Sequence, residues 1–354
     1  MLKLNALDQS AITTSGDSET AIYETVALAQ YLDSIGYHRF WLAEHHNTAA
    51  FAIAAPEILI AHIAAHTKNL RIGSGGIMVP HYSPLKIAEQ FRMLETLAPN
   101  RIDLGIGRAP GGDPRTAAAL QAGPKAWPIE VFPQQVEMLL QFLQDAAGLT
   151  GAAGGFPADH PYQGIHAQPI SGAISGAISG AMGTRILPVW MLGSGGDGAI
   201  HAAQFGLPYV YAHFINPDNL AQAAQSYRQN FAASAFMDAP KLAVALSILV
   251  ADSQEQADYL ARPRNIWATQ LLQNRAGRFP TLAQAQDWQP ENQHESDLLA
   301  MIQARSLTGT ADDVAEKIDA LLRPYDVAEI FALTLIPDIE ARKTSYHLLA
   351  RQFA

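Results

Sequence analysis

The sequence contains no cysteine among its 354 residues. This absence excludes disulfides, thiolate metal sites and thiol nucleophiles. No apolar run approaches the roughly 18 residues that a membrane-spanning helix requires, so we expect no membrane partner. The opening residues, MLKLNALDQS, lack the charged and apolar regions of a secretory signal peptide. We therefore expect a cytoplasmic protein.

Positive charge is also scarce. Lysine and arginine total 23 against 33 aspartates and glutamates, and the formal net charge is −10. Such a surface repels the phosphates of nucleic acids unless its basic residues cluster, and the sequence contains no such cluster. We expect no nucleic-acid partner.

Short β-prone apolar runs alternate with longer stretches of helical periodicity along the chain. This alternation is typical of repeated β–α units and a parallel sheet. Each β-run precedes its helix and a β–α unit ends the chain, which favours a closed (β/α)8 TIM barrel over an open doubly wound sheet. We predict a single domain over residues 1–354. The predicted strands are Lys3–Leu7, Arg39–Ala43, Arg71–Val79, Arg101–Ile106, Pro188–Leu192, Tyr209–His213, Leu242–Val250 and Ala328–Leu335.

Two regions are longer than the repeat requires, and both should be insertions at the C-terminal face of the barrel, about residues 109–187 and 253–307. The first should contain one helix near Gln134–Asp145, and the second should contain extra helices. Residues 170–181 form the tandem repeat ISGAISGAISGA, whose small side chains predict a mobile loop. An active-site lid and a neutral duplication both fit that loop.

Helix starts carry recognisable signals. Ser83 followed by Pro84 is typical of an N-cap and a first helical residue. DSQE from Asp252 and TADD from Thr310 resemble capping boxes.

The segment FWLAEHHN, residues 40–47, puts an acid and two histidines after an apolar run. Adjacent strand residues point to opposite faces, so His45 and His46 cannot both chelate one ion from a regular strand. Glu44 and His46 could share a face, but no third ligand is apparent. A single histidine acting as acid or base near neutral pH is the simpler hypothesis. The alternative is that both histidines are polar strand-end residues without a role.

A second histidine pair, His62 and His66, falls at i and i+4 of a predicted helix. This helix should lie in the outer ring, away from the chemistry, and the glutamate of an H-E-x-x-H metal motif is missing. We interpret the pair as surface or packing residues.

Glycine-rich segments follow several predicted strands. IGSGGIMVP, residues 72–80, suits either close approach of a flat ligand or tight packing inside a barrel. DLGIGRAPGGD, residues 103–113, differs from a dinucleotide fingerprint because Pro110 and GGDP do not open a helix directly. It leaves Arg108 and free backbone amides, which could hold a phosphate. MLGSGGDGAIHAA, residues 191–203, runs from a predicted strand into the N-terminus of a predicted helix. Backbone amides at such a position can bind an anion, but a glycine-rich turn can also serve the chain geometry alone.

Three stretches in this order, GYHRFWLAEHHN, RIGSGGIMVPHYSPLKIAEQFRMLETLAPNRIDLGIGRAPGGD and PVWMLGSG, resemble the bacterial-luciferase-like flavin-dependent monooxygenase family. The likeness extends to the C-terminal segments LTGTADDVAEKIDALL and AEIFALTLIPDIEARKTSYHLLA. It implies a (β/α)8 barrel that uses reduced FMN (FMNH2) and molecular oxygen to oxidise a small organic substrate. It also implies a separate NAD(P)H-dependent flavin reductase as FMNH2 donor, and a homodimer.

Matched position by position, the resemblance implies a site at the C-terminal ends of the strands. His45 corresponds to the family's catalytic histidine. A non-proline cis peptide beside the flavin ring falls at Gly75-Gly76, and Arg108 corresponds to an arginine that contacts the flavin phosphate. The second phosphate-binding turn corresponds to Ser194, Gly195 and Gly196.

The chain departs from light-emitting members of the family, which carry a reactive cysteine near the flavin, so we do not expect luminescence. A deazaflavin-dependent oxidoreductase of the same fold is a rival, because it would use the same barrel and phosphate turns. A non-catalytic flavin-binding protein is another, because a fold can persist without activity. A metallohydrolase built on Glu44, His45 and His46 is the third.

Overall fold

The computed structural model describes residues 2–108, 112–123, 125, 127–149, 155–169 and 186–353. Within these ranges, parallel strands close into an eight-stranded barrel surrounded by helices, which confirms the predicted architecture. The strands are β1 Lys3–Asp8, β2 Arg39–Leu42, β3 Arg71–Ser74, β4 Ile77–Met78, β5 Ile102–Gly107, β6 Val189–Gly193, β7 Tyr209–Ala212, β8 Leu242–Val250, β9 Leu307–Gly309 and β10 Val327–Leu333. The helices are α1 Ser18–Ser34, α2 Pro56–His66, α3 Pro84–Leu97, α4 Pro114–Leu120, α5 Phe132–Ala146, α6 Gly196–Gln204, α7 Leu220–Gln229, α8 Gln254–Leu272, α9 Leu282–Asp287, α10 Gln293–Ala304, α11 Ala311–Leu322 and α12 Ile339–Phe353.

The barrel closes because β10 pairs with both β1 and β8. Lys3 is in register with Glu329, and Val327 is in register with Leu242. The short strand β9, which the sequence did not predict, pairs in parallel with the last residues of β8, Ile248–Val250. Closure through β10 excludes the open doubly wound sheet.

Successive strand residues face alternately into the barrel and towards the helices. Leu7, Trp41, Val210, Ala245 and Phe331 belong to one apolar cluster inside the barrel. Their strand neighbours join the larger core between the sheet and the helices. The interior cluster therefore forms an apolar base beneath the C-terminal ends of the strands.

The opposite end of the barrel holds a buried ion network. Arg39 Nε lies 2.8 Å from Glu329 Oε2, and Lys241 Nζ lies 2.6 Å from Glu329 Oε1. Arg39 and Arg71 both pair with Asp103. Burial raises the pKa of Glu329, but Arg39 and Lys241 outweigh it and lower that pKa to about 2. This network places paired charges in the interior near the strand N-termini, away from the residues that the sequence assigned to the site.

One predicted strand, Arg71–Val79, is wrong in its extent. The segment divides into β3 and β4, because the chain turns at Gly75-Gly76. Strand pairing resumes after the turn, where Ile77 of β4 is in register with Ile106 of β5. The other predicted strands differ at their ends, except Leu242–Val250, which is observed as predicted.

The insertions contain the elements expected of them and one more. The first holds α5, longer than the predicted Gln134–Asp145, and the unpredicted helix α4. The second holds α8, α9 and α10. The repeat at residues 170–181 lies outside the described residues.

The predicted helix starts are confirmed, but neither DSQE nor TADD makes the reciprocal bonds of a capping box, and the Ser83 side chain makes no cap hydrogen bond. Ser253 rather than Asp252 caps α8, because its side chain accepts the Gln256 N–H. Thr310 caps α11, and Pro84 is the first residue of α3 after Ser83. In the described ranges, no helix is long and apolar enough to cross a membrane.

Candidate active site

A cavity of about 620 Å³ opens at the C-terminal ends of the barrel strands. Every residue that the sequence assigned to the site lines it: His45, Gly75, Gly76, Arg108, Ser194, Gly195 and Gly196. A larger groove of about 1290 Å³ beside α8 and α11 contains none of them. We therefore place the candidate active site in the smaller cavity.

His45 follows β2 at the rim of the cavity. Its backbone N–H donates to Ile53 O at 2.9 Å, and its ring packs on Phe51 with centroids 4.4 Å apart. Burial lowers the pKa of His45 to about 4, with a smaller contribution from His46. The imidazole is therefore neutral at neutral pH. Its buried Nδ1 has no hydrogen-bond partner among the described residues.

Glu44 and His46 hold the segment on either side of His45. Glu44 Oε1 accepts hydrogen bonds from His46 Nε2 at 2.8 Å and from the Tyr82 hydroxyl at 2.9 Å. Glu44 Oε2 accepts the Met78 backbone N–H at 3.1 Å. The carboxylate is buried and joins the segment after β2 to the segment after the glycine pair. Glu44 and His46 therefore lie on the same face of the segment, as expected, and their side chains are hydrogen-bonded to each other.

The peptide bond between Gly75 and Gly76 is cis, as the resemblance implied. The Gly75 N–H donates to Leu42 O at 2.7 Å, which ties the pair to the end of β2. A Cβ on Gly76 would lie 2.8 Å from Gly105 O. On one side, the glycine pair therefore packs against the backbone of Gly105. On the other side, it gives the cavity a wall without side chains.

The far side of the cavity is polar and open. Gly195 is the N-cap of α6 in an extended conformation, so the first amides of the helix face the cavity mouth. The Tyr209 hydroxyl donates to Gly193 O at 3.2 Å and to Gly195 O at 3.3 Å, which fixes this turn. A Cβ added to Gly195 or Gly196 would meet no atom within 4 Å. This combination of free amides and open space suits an anion.

Arg108 supplies the positive charge at the same place. It follows β5, and its Nη1 lies 2.8 Å from Asp197 Oδ2 on the first turn of α6. Both side chains are substantially exposed. Arg108 and the α6 N-terminus can therefore hold a phosphate group between β5 and β6.

These features together fit a flat ring with an anionic tail. The anion would lie against Arg108 and the α6 amides, and the ring would lie along the Gly75-Gly76 wall. Leu7, Trp41 and Phe331 give the interior an apolar surface. The residues present therefore fit a phosphorylated flavin.

The two outer histidines lie where the sequence predicted. His62 and His66 are exposed on α2, with ring centroids 4.3 Å apart and His66 Nδ1 bonded to His62 O. Across the part of the chain that the structure describes, no group of three or more His, Asp or Glu side chains could hold a metal ion.

Three residues of the cavity region were missed from the sequence. Asp197 could have been noticed, because it directly follows the GSGG turn. Tyr82 could not, because its contact with Glu44 spans 38 positions. Gln9 is buried and lines the cavity; no sequence signal marked it.

Known proteins resemble this chain over most of its length. The family described as luciferase-like monooxygenase matches residues 3–325. A luciferase-like monooxygenase of Escherichia coli K12 is 37% identical over 350 residues, covering 98% of this chain and 96% of that protein. The N-acetyl-S-alkylcysteine monooxygenase of Bacillus subtilis 168 is 33% identical over 355 residues, covering 99% and 98%.

Solved structures share the fold. Apo-MsnO8 superposes with a TM-score of 0.81 at 28% identity, covering 100% of this chain and 98% of that one. The oxygenating constituent of the Pseudomonas putida 3,6-diketocamphane monooxygenase, in complex with FMN, gives 0.69 at 16% identity, covering 99% and 98%. An F420-dependent secondary alcohol dehydrogenase gives 0.64 at 12% identity, covering 100% and 99%. The chain belongs to the luciferase-like monooxygenase family and is a flavin-dependent monooxygenase.

Proposed function

We propose that the protein is an FMNH2-dependent monooxygenase that oxidises a small organic substrate with O2 and receives FMNH2 from a separate NAD(P)H-dependent reductase. The observation that carries this proposal is one cavity that joins His45, the cis Gly75-Gly76 wall, Arg108 and the α6 N-terminus. When bound, FMNH2 would supply two electrons and two protons, so that one oxygen atom enters the substrate and the other leaves as water.

We assign phosphate binding to Arg108 and to the amides of the turn at Ser194, Gly195 and Gly196. The guanidinium and the helix N-terminus converge on one open region, and both favour a dianion. The single phosphate of FMN matches a region with one arginine. Among the described residues that line the cavity, Arg108 is the only lysine or arginine.

We assign proton handling to His45. A buried N–H without a partner costs more free energy than a buried acceptor without one. Because Nδ1 has no partner, the neutral ring should carry its proton on Nε2. Nε2–H can then donate a hydrogen bond to an oxygen atom that gains negative charge in the cavity, and the ring keeps that proton. The low pKa of His45 means that any proton the neutral ring accepts is passed on readily, which returns the ring to the neutral form.

The apolar interior would exclude water from the reacting atoms. Trp41 packs on Phe331 with ring centroids 4.2 Å apart, and Leu7 and Val210 complete this surface. Such walls accept a small uncharged or thioether group more readily than a charged one. The similarity to the N-acetyl-S-alkylcysteine monooxygenase makes N-acetyl-S-alkylcysteines the first substrates to test.

The experiment mixes the protein with anaerobically reduced FMN, then adds 18O2 and an N-acetyl-S-alkylcysteine. We expect slower flavin oxidation than in free solution and 18O in the product. Oxidation at the free-solution rate would contradict the proposal. Binding of F420 without binding of FMN would favour the deazaflavin-dependent alternative, whose cofactor occurs in this fold. Tight binding of oxidised FMN without O2 consumption across a substrate panel would favour a non-catalytic flavin carrier.

We also propose that the chain forms a homodimer. Ile58 on α2 and Met93 and Leu97 on α3 are exposed apolar side chains on two helices that contact each other. Light scattering coupled to size exclusion should give twice the mass of the chain, and the monomer mass would contradict this proposal.

A further inference from the structure

Asp197 occupies the place where the flavin phosphate is expected. Its Oδ2 lies 2.8 Å from Arg108 Nη1, and both residues line the same cavity. Asp197 is in the first turn of α6, so its carboxylate also benefits from the positive end of the helix dipole. An acidic side chain of the protein thus uses the same two features that would attract a phosphate.

Arg108 is not supported by a second cation among the described residues that line the cavity. No other lysine or arginine appears among the described lining residues. His201, one turn further along α6, adds no positive charge near neutral pH, because burial and then the charge of Arg108 hold its pKa below the usual range. The ion pair with Asp197 therefore leaves this end of the cavity without net positive charge.

An anion can still reach this region. The space over Gly107, Gly195 and Gly196 is open, because a Cβ added to any of them would meet no atom within 4 Å. Asp197 has no hydrogen-bond partner among the described residues except Arg108, and 64% of its side chain is exposed. Its carboxylate can therefore swing away from Arg108 into solvent at little cost.

We propose that Asp197 is an internal competitor for the flavin phosphate, which must displace it from Arg108, and that it keeps FMN binding weak and reversible. This inference rests on the proposed function. A phosphate dianion that binds Arg108 must break the ion pair with Asp197, which reduces the net binding free energy. The displaced carboxylate also repels the dianion. Riboflavin lacks the phosphate, so its binding neither breaks the ion pair nor suffers the repulsion. An enzyme that takes up reduced flavin and releases the oxidised form in each turnover benefits from such a weak hold.

The test compares the dissociation constants of FMN and riboflavin, measured by quenching of flavin fluorescence, for the wild type, D197N and D197E. D197N removes the charge and keeps the size, whereas D197E keeps the charge. We expect D197N to bind FMN about three- to tenfold more tightly, with riboflavin unchanged. D197E should bind both flavins as the wild type does. Added salt should narrow the difference between D197N and the wild type.

The outcomes distinguish failure of this inference from failure of the proposed function. Unchanged or weaker FMN binding by D197N, while the wild type binds FMN, would overturn the inference and leave the proposed function standing. Equal tightening of FMN and riboflavin would also overturn it, since the effect would not depend on the phosphate. No binding of oxidised or reduced FMN by any of the proteins would instead refute the proposed function. R108Q provides a second measurement, because the effect of D197N on FMN should shrink when Arg108 is absent.

Discussion

His46 Nε2 lies 2.8 Å from Glu44 Oε1, and this contact gives the two adjacent histidines different environments. His46 is bonded to a buried carboxylate that also holds Tyr82 and the backbone of Met78. His45 has no such partner and lines the cavity. Glu44 therefore positions the segment, and His45 remains available to the reacting groups.

The first prediction concerns His45. H45Q should lower the rate of substrate oxygenation by about 10²- to 10⁴-fold, the usual contribution of a positioned acid or base. FMN affinity should change only slightly, because we assign phosphate binding to Arg108 and the α6 N-terminus rather than to His45. H62Q on the outer surface of α2 is the matched control and should retain full activity. Wild-type turnover in H45Q would remove His45 from the chemistry.

The second prediction concerns Glu44. E44A leaves the buried His46 and the half-buried Tyr82 hydroxyl and Met78 N–H without their acceptor, and such an unpaired group costs about 1–3 kcal/mol where water cannot reach it. We expect a lower free energy of unfolding in urea and weaker flavin binding, because the segments after β2 and β4 lose their connection. Y82F removes one donor and keeps the carboxylate, so its loss should be much smaller. Equal effects of the two variants would contradict this role of Glu44.

The third prediction separates cofactor space from packing space. G195A puts a methyl group into the open region at the α6 N-cap, so we expect FMN binding weaker by about tenfold, roughly 1.4 kcal/mol. Thermal stability should fall only slightly, because alanine is a poorer N-cap than glycine. G76A forces a Cβ against Gly105 O, 2.8 Å away, and should destabilise the fold by about 1–3 kcal/mol. Thermal denaturation and flavin titration of both variants measure the two effects. A G195A protein that binds FMN normally would place the phosphate elsewhere.

The fourth prediction concerns pH and Glu329. The pKa of Glu329 is lowered to about 2 in the folded protein, so its stabilisation is present above the unfolded pKa of about 4.5 and is lost as pH falls towards 2. E329Q leaves Lys241 unpaired and Arg39 with one acid, and should lower the free energy of unfolding at pH 7 by about 3–5 kcal/mol. The difference between the two proteins should shrink between pH 5 and pH 2.

The control for this prediction is E340Q, since the Glu340 side chain is 76% exposed. Its stability should stay within about 0.5 kcal/mol of the wild type at each pH. Parallel pH profiles for wild type and E329Q would contradict the assignment of acid sensitivity to the buried network.

Local patterns in the sequence were sufficient for the fold class, whereas the candidate site residues came from the family resemblance. The alternation of β-runs and helical stretches gives a β–α repeat, and such repeats pack in few ways. Gly75-Gly76, Arg108 and the turn at Ser194 lie next to strand ends, so the parallel strands of a closed barrel had to bring them to one face. The strand boundary at Gly75 was missed, because an apolar run does not reveal where its backbone turns.

Contacts between distant positions were decided only by the tertiary structure. Arg108 and Asp197 are 89 positions apart, and Arg39 and Glu329 are 290 apart. Such pairs depend on strand register and on the closure of β10 against β1, which no local pattern encodes. The sequence by itself thus determined a barrel with glycine and arginine at its rim. The tertiary structure decided that Glu44 holds His46, that His45 lines the cavity, and that Asp197 is paired with Arg108, the arginine that we propose for phosphate binding.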